Sequence, residues 1–343
     1  MKSVIKFLRI PEWYDSKLPM SLSVMLYFFI IFPPEDVQYS VWNLLLFFIF
    51  LFFYLAFGYV INDFSDMDAD RIVGKEKLIT KIPKSLSLSI IILLVIVSSL
   101  PLCLASNFDY KIIIILIVNY LFGASYSAKP FRFKARGLWG LIISSAAQRS
   151  IPLLVIPVLY EVSVLLFIGW VIISFLNGLR YILIHQHRDY DADLKSEINT
   201  FATKHQKSKI LEILIYLCLT GELIIVFFLL LPLIISHPII VAVILLYAVT
   251  AIVAIWSVSY YLRKSVFLTY TYVPLEDFFN VLLPLSFAVL LMVQTQSLWY
   301  LFVSVALLLY LLPTIINKYT IIFLPIRIKM ARAKFVGKNE KSG

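Results

Sequence analysis

The sequence predicts an all-α integral membrane protein, one domain over 1–343 built as a bundle of nine or ten transmembrane helices. Three observations predict it. Hydrophobic residues make up 61% of the 343 and charged residues 15%, whereas a water-soluble globular chain is roughly half apolar and a quarter charged. The apolar residues arrive in runs of about 18 or more, the length of a helix that crosses a bilayer core, and barrel strands would be shorter and would alternate. Basic residues gather in the connections at alternate ends of those runs, as a fixed orientation in a membrane requires.

In order, helices are expected over 18–32, 40–61, 86–106, 111–127, 138–160, 162–184, 209–235, 237–262, 276–294 and 297–317. Pro33-Pro34 closes the short first one. Cys103 and Cys218 both fall inside apolar spans and read as packing residues, with neither a disulfide framework nor a metal site between them. The N-terminal stretch lacks a small-residue cleavage site and carries Pro11-Glu12-Trp13 ahead of the first apolar run, so it is not expected to be a cleaved signal.

Charge sets the expected orientation. Lys2, Lys6, Arg9 and Lys17 lie in the N-terminal tail, and Arg71, Lys75, Lys77, Lys81 and Lys84 in the next loop on that face. Lys129, Arg132, Lys134 and Arg136 follow, then Arg188, Lys195, Lys204, Lys207 and Lys209, then Arg263, Lys264 and a tail from Lys318 to Lys341. The opposite face shows only Lys111. Both termini are therefore expected in the cytoplasm of a multi-pass protein of the cell (inner) membrane, and ten spans suit that better than nine. A solvated face beside anionic lipid accounts for the net charge of +10, so no nucleic-acid partner is expected.

The acidic residues concentrate at two helix ends on that basic face. Asn62-Asp63-Phe64-Ser65-Asp66-Met67-Asp68-Ala69-Asp70 leaves the second span. If the helix continues, Asn62, Asp66 and Asp70 fall at i, i+4 and i+8, Asp63 lies beside them, and Asp68 points elsewhere. Asp189-Tyr190-Asp191-Ala192-Asp193 leaves the sixth span, with Asp189 and Asp193 on one face. Like charges four apart on a helix repel, and at the edge of hydrocarbon they are paired or bind a cation. Carboxylates completed by phosphate oxygens and water suit Mg²⁺. Solvated acidic loops are the plainer alternative. A calcium loop fails, because Arg71 stands at the turn-glycine position and Lys77 at that of the bidentate glutamate. Between the clusters, Tyr126-Ser127-Ala128-Lys129-Pro130-Phe131-Arg132-Phe133-Lys134-Ala135-Arg136-Gly137 offers cations for a diphosphate, or a stop-transfer cluster.

Together these segments resemble the UbiA superfamily of intramembrane prenyltransferases. The motif N-D-x-x-D-x-x-x-D is met at Asn62, Asp63, Asp66 and Asp70, and D-x-x-x-D at Asp189 and Asp193, with Thr200 seven residues on. The intervening Y-S-x-x-P-x-R-x-K-x-x-G is met at Tyr126, Ser127, Pro130, Arg132, Lys134 and Gly137. Glu197 stands where a glycine is common and Asn199 where a basic residue is. The resemblance runs over 9–209, and 276–343 lies beyond it.

The resemblance implies a helical bundle around a laterally open cavity and Mg²⁺-dependent transfer of a polyprenyl group from its diphosphate. The acceptor would be a small aromatic or lipid-phase molecule, in quinone or related lipid biosynthesis. Asn62, Asp63, Asp66, Asp70, Asp189 and Asp193 would hold the metal. Asn62, Tyr126, Arg132 and Lys134 would hold the diphosphate, with Asp66, Asp193 and Lys134 catalytic. Polar residues within spans, namely Asn119, Gln148, Arg149, Asn177 and Arg180, stand out on their own account. Arg149 falls about 17 Å along the fifth helix at 1.5 Å per residue, and it and Asn177 are candidates for an acceptor pocket or for interhelical bonding. Arg180 is expected to offset the acidic cluster. Phosphoribosyl transfer to a polyprenyl phosphate is the alternative on this fold. A cation-coupled transporter is the alternative from another class, although transporters place such carboxylates near the midplane.

Overall fold

The computed structural model describes residues 2–72, 77–195, 200–205, 209–237 and 277–316, with the pairs 240–241, 244–245 and 248–249. Most of the expected helix over 237–262, and the tail from Lys318, lie outside them. The chain forms two compact units, Met1–Val241 and Ala242–Gly343. Every described element is helical, and among the described residues eight helices are long and apolar enough to cross a membrane.

In the first unit, α1 (Lys2–Phe7) and a 3₁₀ turn lead to α2 (Leu18–Ile31). This helix matches the short one expected over 18–32 to within one residue. Its 14 residues cover about 21 Å, short of a hydrocarbon core of about 30 Å. Every residue from Leu18 to Ile30 is buried. A helix apolar all round is stable only when neighbours cover all of it, and α2 is the packed axis of this unit. Tyr27 donates to the Leu229 carbonyl at 2.7 Å and lies edge-on to Trp170 at 5.2 Å, tying the axis to two later helices.

Helix α3 (Val37–Ile72) runs on past Ile61, the last residue of its apolar stretch, so the first acidic motif is helix-borne. Next come α4 (Lys84–Ala105) and α5 (Tyr110–Ser127), the latter capped by the Asp109 carboxylate accepting from the Lys111 N–H. On α4 the buried positions are Ser87, Ile91, Leu94, Ser98 and Leu102, one narrow stripe at helical spacing. Leu93, Ile96, Leu100 and Leu104 form the outer face. An apolar outer face of this kind suits lipid.

The span expected as one helix over 138–160 is built in four pieces. They are α6 (Leu138–Ser145), a π turn (Ala146–Ser150), a 3₁₀ turn (Ile151–Val155) and α7 (Ile156–Leu159). The run Leu138–Leu159 stays continuous while its bonding pattern changes; Pro152 has no N–H to give to the Ala147 carbonyl, its partner in the π pattern. That carbonyl instead accepts from the Tyr54 hydroxyl of α3 at 2.7 Å. Helix α8 (Val164–Lys195) carries the second acidic motif and packs on α6 and on α10 (Lys209–Ser236). The short α9 (Phe201–Lys204) lies between them in sequence.

In the second unit, a π turn (Phe278–Leu282) leads into α11 (Leu283–Thr295), which ends where Gln296 turns left-handed at φ 50°. Helix α12 (Leu298–Ile316) follows.

Candidate active site

The acidic end of α3 is closed by cations from three separate segments. Lys134 Nζ donates to Asn62 Oδ1 at 3.0 Å and to Asp66 Oδ2 at 2.5 Å, and Arg132 Nη2 reaches Asp66 Oδ1 at 3.3 Å. Ser127, the last residue of α5, donates to Asn62 Oδ1 at 2.6 Å. One turn around the helix, Lys77 Nζ sits 2.8 Å from Asp63 Oδ1 and 2.7 Å from Asp70 Oδ2. Arg9 Nη1 lies 3.1 Å from Asp63 Oδ1, and its guanidinium also pairs with Glu12. Asp63 and Asp70 are buried, while Asp68 is exposed and pairs with Lys84 at 2.9 Å.

Local backbone explains how Lys134 gets there. Arg132 turns left-handed at φ 39°, and the 3₁₀ turn Phe133–Ala135 folds back onto the start of α6. A Cβ at Gly140 would lie 2.8 Å from the Phe133 carbonyl, so only glycine lets the turn approach this closely. Tyr126 is half-buried on the last turn of α5. Burial lowers the Lys134 ammonium below the ordinary lysine value, and its bond to Asp66 restores part of that. Burial also opposes the charge on Lys77, but the bonds to Asp63 and Asp70 outweigh it and hold its pKa above the ordinary value.

Positions 189 and 193 fall on one face of α8 near its end. The side chains of Asp189, Asp191 and Asp193 lie outside the described residues. The described segment after them packs beside the Lys134 turn. Thr200 caps α9 by accepting from the Thr203 N–H at 3.2 Å, and Gly137 closely approaches the Lys204 side chain.

Deeper in the bundle, Arg149 and Gln148 ride on the π turn. Arg149 is buried, its guanidinium 5.8 Å from the Tyr181 ring centroid. Asn177 Nδ2 donates to Glu222 Oε2 at 3.3 Å. Arg180, expected to offset the acidic cluster, makes a bidentate pair with Glu222 of α10 at 2.7 and 3.0 Å. Both side chains are essentially inaccessible, at 1% and 0%. Sequence reasoning passed over Glu222, although an acid inside an apolar span is a signal in itself. It also passed over Arg9 and Lys77 as carboxylate partners, which no spacing rule reveals.

The described helices are of a membrane-spanning type, and α3 among them carries a cation-clamped carboxylate end. The sequence profile of the UbiA prenyltransferase family matches residues 22–273, and the chain belongs to that family of multi-pass membrane proteins. Solved structures agree in fold. A UbiA homolog from Archaeoglobus fulgidus bound to DMAPP and Mg²⁺ is 22% identical, covering 71% of this chain and 84% of that one, with a TM-score of 0.52. The same homolog bound to GPP and Mg²⁺ gives 20%, 83%, 99% and 0.54. A digeranylgeranylglyceryl phosphate synthase gives 18%, 91%, 98% and 0.51. Comparison with curated proteins yields no match.

The residues present fit a hard divalent cation. The donors are carboxylate oxygens, and one ammonium already sits between Asp63 and Asp70, marking a place for positive charge. Among the described residues, which leave out the side chains of Asp189 and Asp193, no three acidic, histidine or cysteine side chains converge. Arg132 Nε is shielded from solvent and has no hydrogen-bond acceptor among the described residues, so a donor there suits a phosphate.

Proposed function

We propose that this chain transfers a polyprenyl group from its diphosphate to a small aromatic acceptor within the membrane, in quinone or related lipid biosynthesis, with Mg²⁺ as cofactor. The observation that carries the reading is the shared use of cations at the end of α3: Lys134 between Asn62 and Asp66, and Lys77 between Asp63 and Asp70. Carboxylates so neutralised can accept Mg²⁺, while the displaced ammonium groups find phosphate oxygens close by.

Asn62, Asp63, Asp66 and Asp70, with Asp189 and Asp193, would hold the metal, which supplies electrophilic stabilisation of the leaving diphosphate. Lys134, Arg132 and Tyr126 bind and orient that diphosphate. As the allylic carbon–oxygen bond breaks, negative charge gathers on the departing oxygens. Lys134 and Arg132, held in place beforehand, stabilise it without reorganisation. The apolar interior keeps water from the allylic carbon until an acceptor carbon bonds to it and loses its proton. The acidic end and both termini face the cytoplasm of the cell (inner) membrane in this reading, which rests on the basic loops of that face.

The test is to incubate the purified protein with GPP, Mg²⁺ and a panel of phenolic and quinol acceptors, and to identify products by mass spectrometry. A prenylated aromatic product supports the reading. Prenyl transfer to non-aromatic acceptors alone would overturn its aromatic part.

A further inference from the structure

Beside the Lys134 turn lies a surface that the transfer reaction does not use. Phe131 and Trp139 are 53% and 57% exposed, and Phe133 links them. Its ring stacks on Phe131 with centroids 5.8 Å apart and lies 6.4 Å from that of Trp139. The Arg136 guanidinium covers the Phe133 ring at 5.5 Å, and its Nη2 donates to the Pro130 carbonyl at 3.0 Å. Lys129, the residue before Pro130, is exposed as well. Lys204 reaches the same place from the end of α9: its Nζ lies 3.4 Å from where a Cβ at Gly137 would stand. Three rings and three cations thus make one continuous ledge.

Charge and depth show what the ledge faces. Arg9, Lys77, Lys84, Arg132 and Lys134 each meet a carboxylate. Lys129, Arg136 and Lys204 are exposed and meet none among the described residues, so their counter-charge comes from outside the chain. Trp139 is the second residue of the apolar stretch Leu138–Leu159, which is long enough to cross a membrane. A tryptophan exposed at the end of such a stretch sits at headgroup level, and basic groups beside it lie among lipid phosphates. A small water-soluble anion would need only the cations. The exposed rings add apolar surface that the boundary between headgroups and acyl chains takes up.

We propose that this ledge docks the headgroups of anionic phospholipid, and that the contact holds the Lys134 turn in place. Phe133 and Lys134 are consecutive in one 3₁₀ turn: the first packs on the ledge, the second on Asn62 and Asp66. Fixing Phe133 from outside therefore bears directly on where Lys134 Nζ stands. The consequence for turnover rests on the transferase reading above; the docking itself does not.

The test uses the full chain in nanodiscs of phosphatidylcholine with and without phosphatidylglycerol. At fixed composition, bromine is carried on the acyl chains of one lipid or the other, and quenching of Trp139 is the difference between the wild type and Trp139→Phe. Brominated phosphatidylglycerol is expected to quench roughly fivefold more per lipid than brominated phosphatidylcholine, the scale of one basic group at an anionic surface. In the triple variant Lys129→Gln, Arg136→Gln, Lys204→Gln that preference is expected to vanish. Equal quenching by the two lipids in the wild type, or a preference that survives in the triple variant, would overturn the proposal. Prenyl transfer from GPP gives a second readout. Phosphatidylglycerol should raise kcat/KM of the wild type by about tenfold and that of the triple variant little, a smaller effect than outright misplacement of a catalytic group. A rate indifferent to phosphatidylglycerol, with the lipid preference intact, would overturn the positioning role. Loss of donor affinity in the triple variant to the same extent in both lipids would assign the cations to the diphosphate and overturn the docking. Selective quenching without transfer in any lipid would remove the transferase reading and leave the docking standing.

Discussion

Lys134 places its ammonium 2.5 Å from Asp66 Oδ2, joining the turn before α6 to the acidic end of α3. The same nitrogen lies 3.0 Å from Asn62 Oδ1, so one side chain spans a full turn of the motif. Lys77 spans about two turns, from Asp63 to Asp70. Repulsion along α3 is thereby answered by cations that can be lent to a diphosphate.

Lys134→Ala and Asp66→Asn are expected to lower kcat/KM for prenyl transfer by about a hundredfold each, the scale of losing one preorganised charge-stabilising group. Asp68→Asn should change it little, because Asp68 is exposed and its pair with Lys84 lies outside the cluster. Steady-state kinetics on the three variants check this. Equal losses at Asp66 and Asp68 would contradict the helical phasing.

Gly140→Ala tests how Lys134 is aimed. The added Cβ would meet the Phe133 carbonyl at 2.8 Å, so the turn must move outward. A misplacement near 1 Å costs about a hundredfold where positioning carries catalysis. Activity should therefore drop while the thermal unfolding profile stays close to wild type. Full activity in this variant would mean that the turn tolerates displacement.

Much of this end of the molecule was legible in the sequence. Asn62, Asp63, Asp66 and Asp70 have helical spacing, and carboxylates spaced that way beside hydrocarbon demand a cation. Other features were not legible, for physical reasons. An apolar run reads alike whether lipid or protein covers it, so the complete burial of α2 from Leu18 to Ile30 was not legible. At the π turn the Ala147 carbonyl, which Pro152 cannot serve, accepts from the hydroxyl of Tyr54, far away on α3. Arg180 finds Glu222 across 42 residues of sequence, a pairing set by how α8 and α10 pack.

That pair yields a stability prediction. Arg180→Met or Glu222→Gln leaves a buried charge without its counter-ion, and each should cost roughly 3–5 kcal/mol. Replacing both with apolar residues should cost clearly less than the two single changes combined. Thermal unfolding in detergent measures all three, and strict additivity would show that the two side chains act independently.

Orientation can be checked in intact cells with single cysteines in a background lacking Cys103 and Cys218. The turn at Ser106 lies at the opposite end of α4 from Lys81. A membrane-impermeant maleimide should label a cysteine at Ser106 and spare one at Lys81. The reverse pattern would invert the assigned sidedness.

The most direct measurement of the central claim is the metal dependence of donor chemistry. Purified protein is stripped with EDTA, supplied with GPP and an accepted acceptor, and assayed before and after Mg²⁺ is restored. The account predicts no turnover in the stripped protein and recovery with Mg²⁺. Full activity in the stripped protein would contradict it.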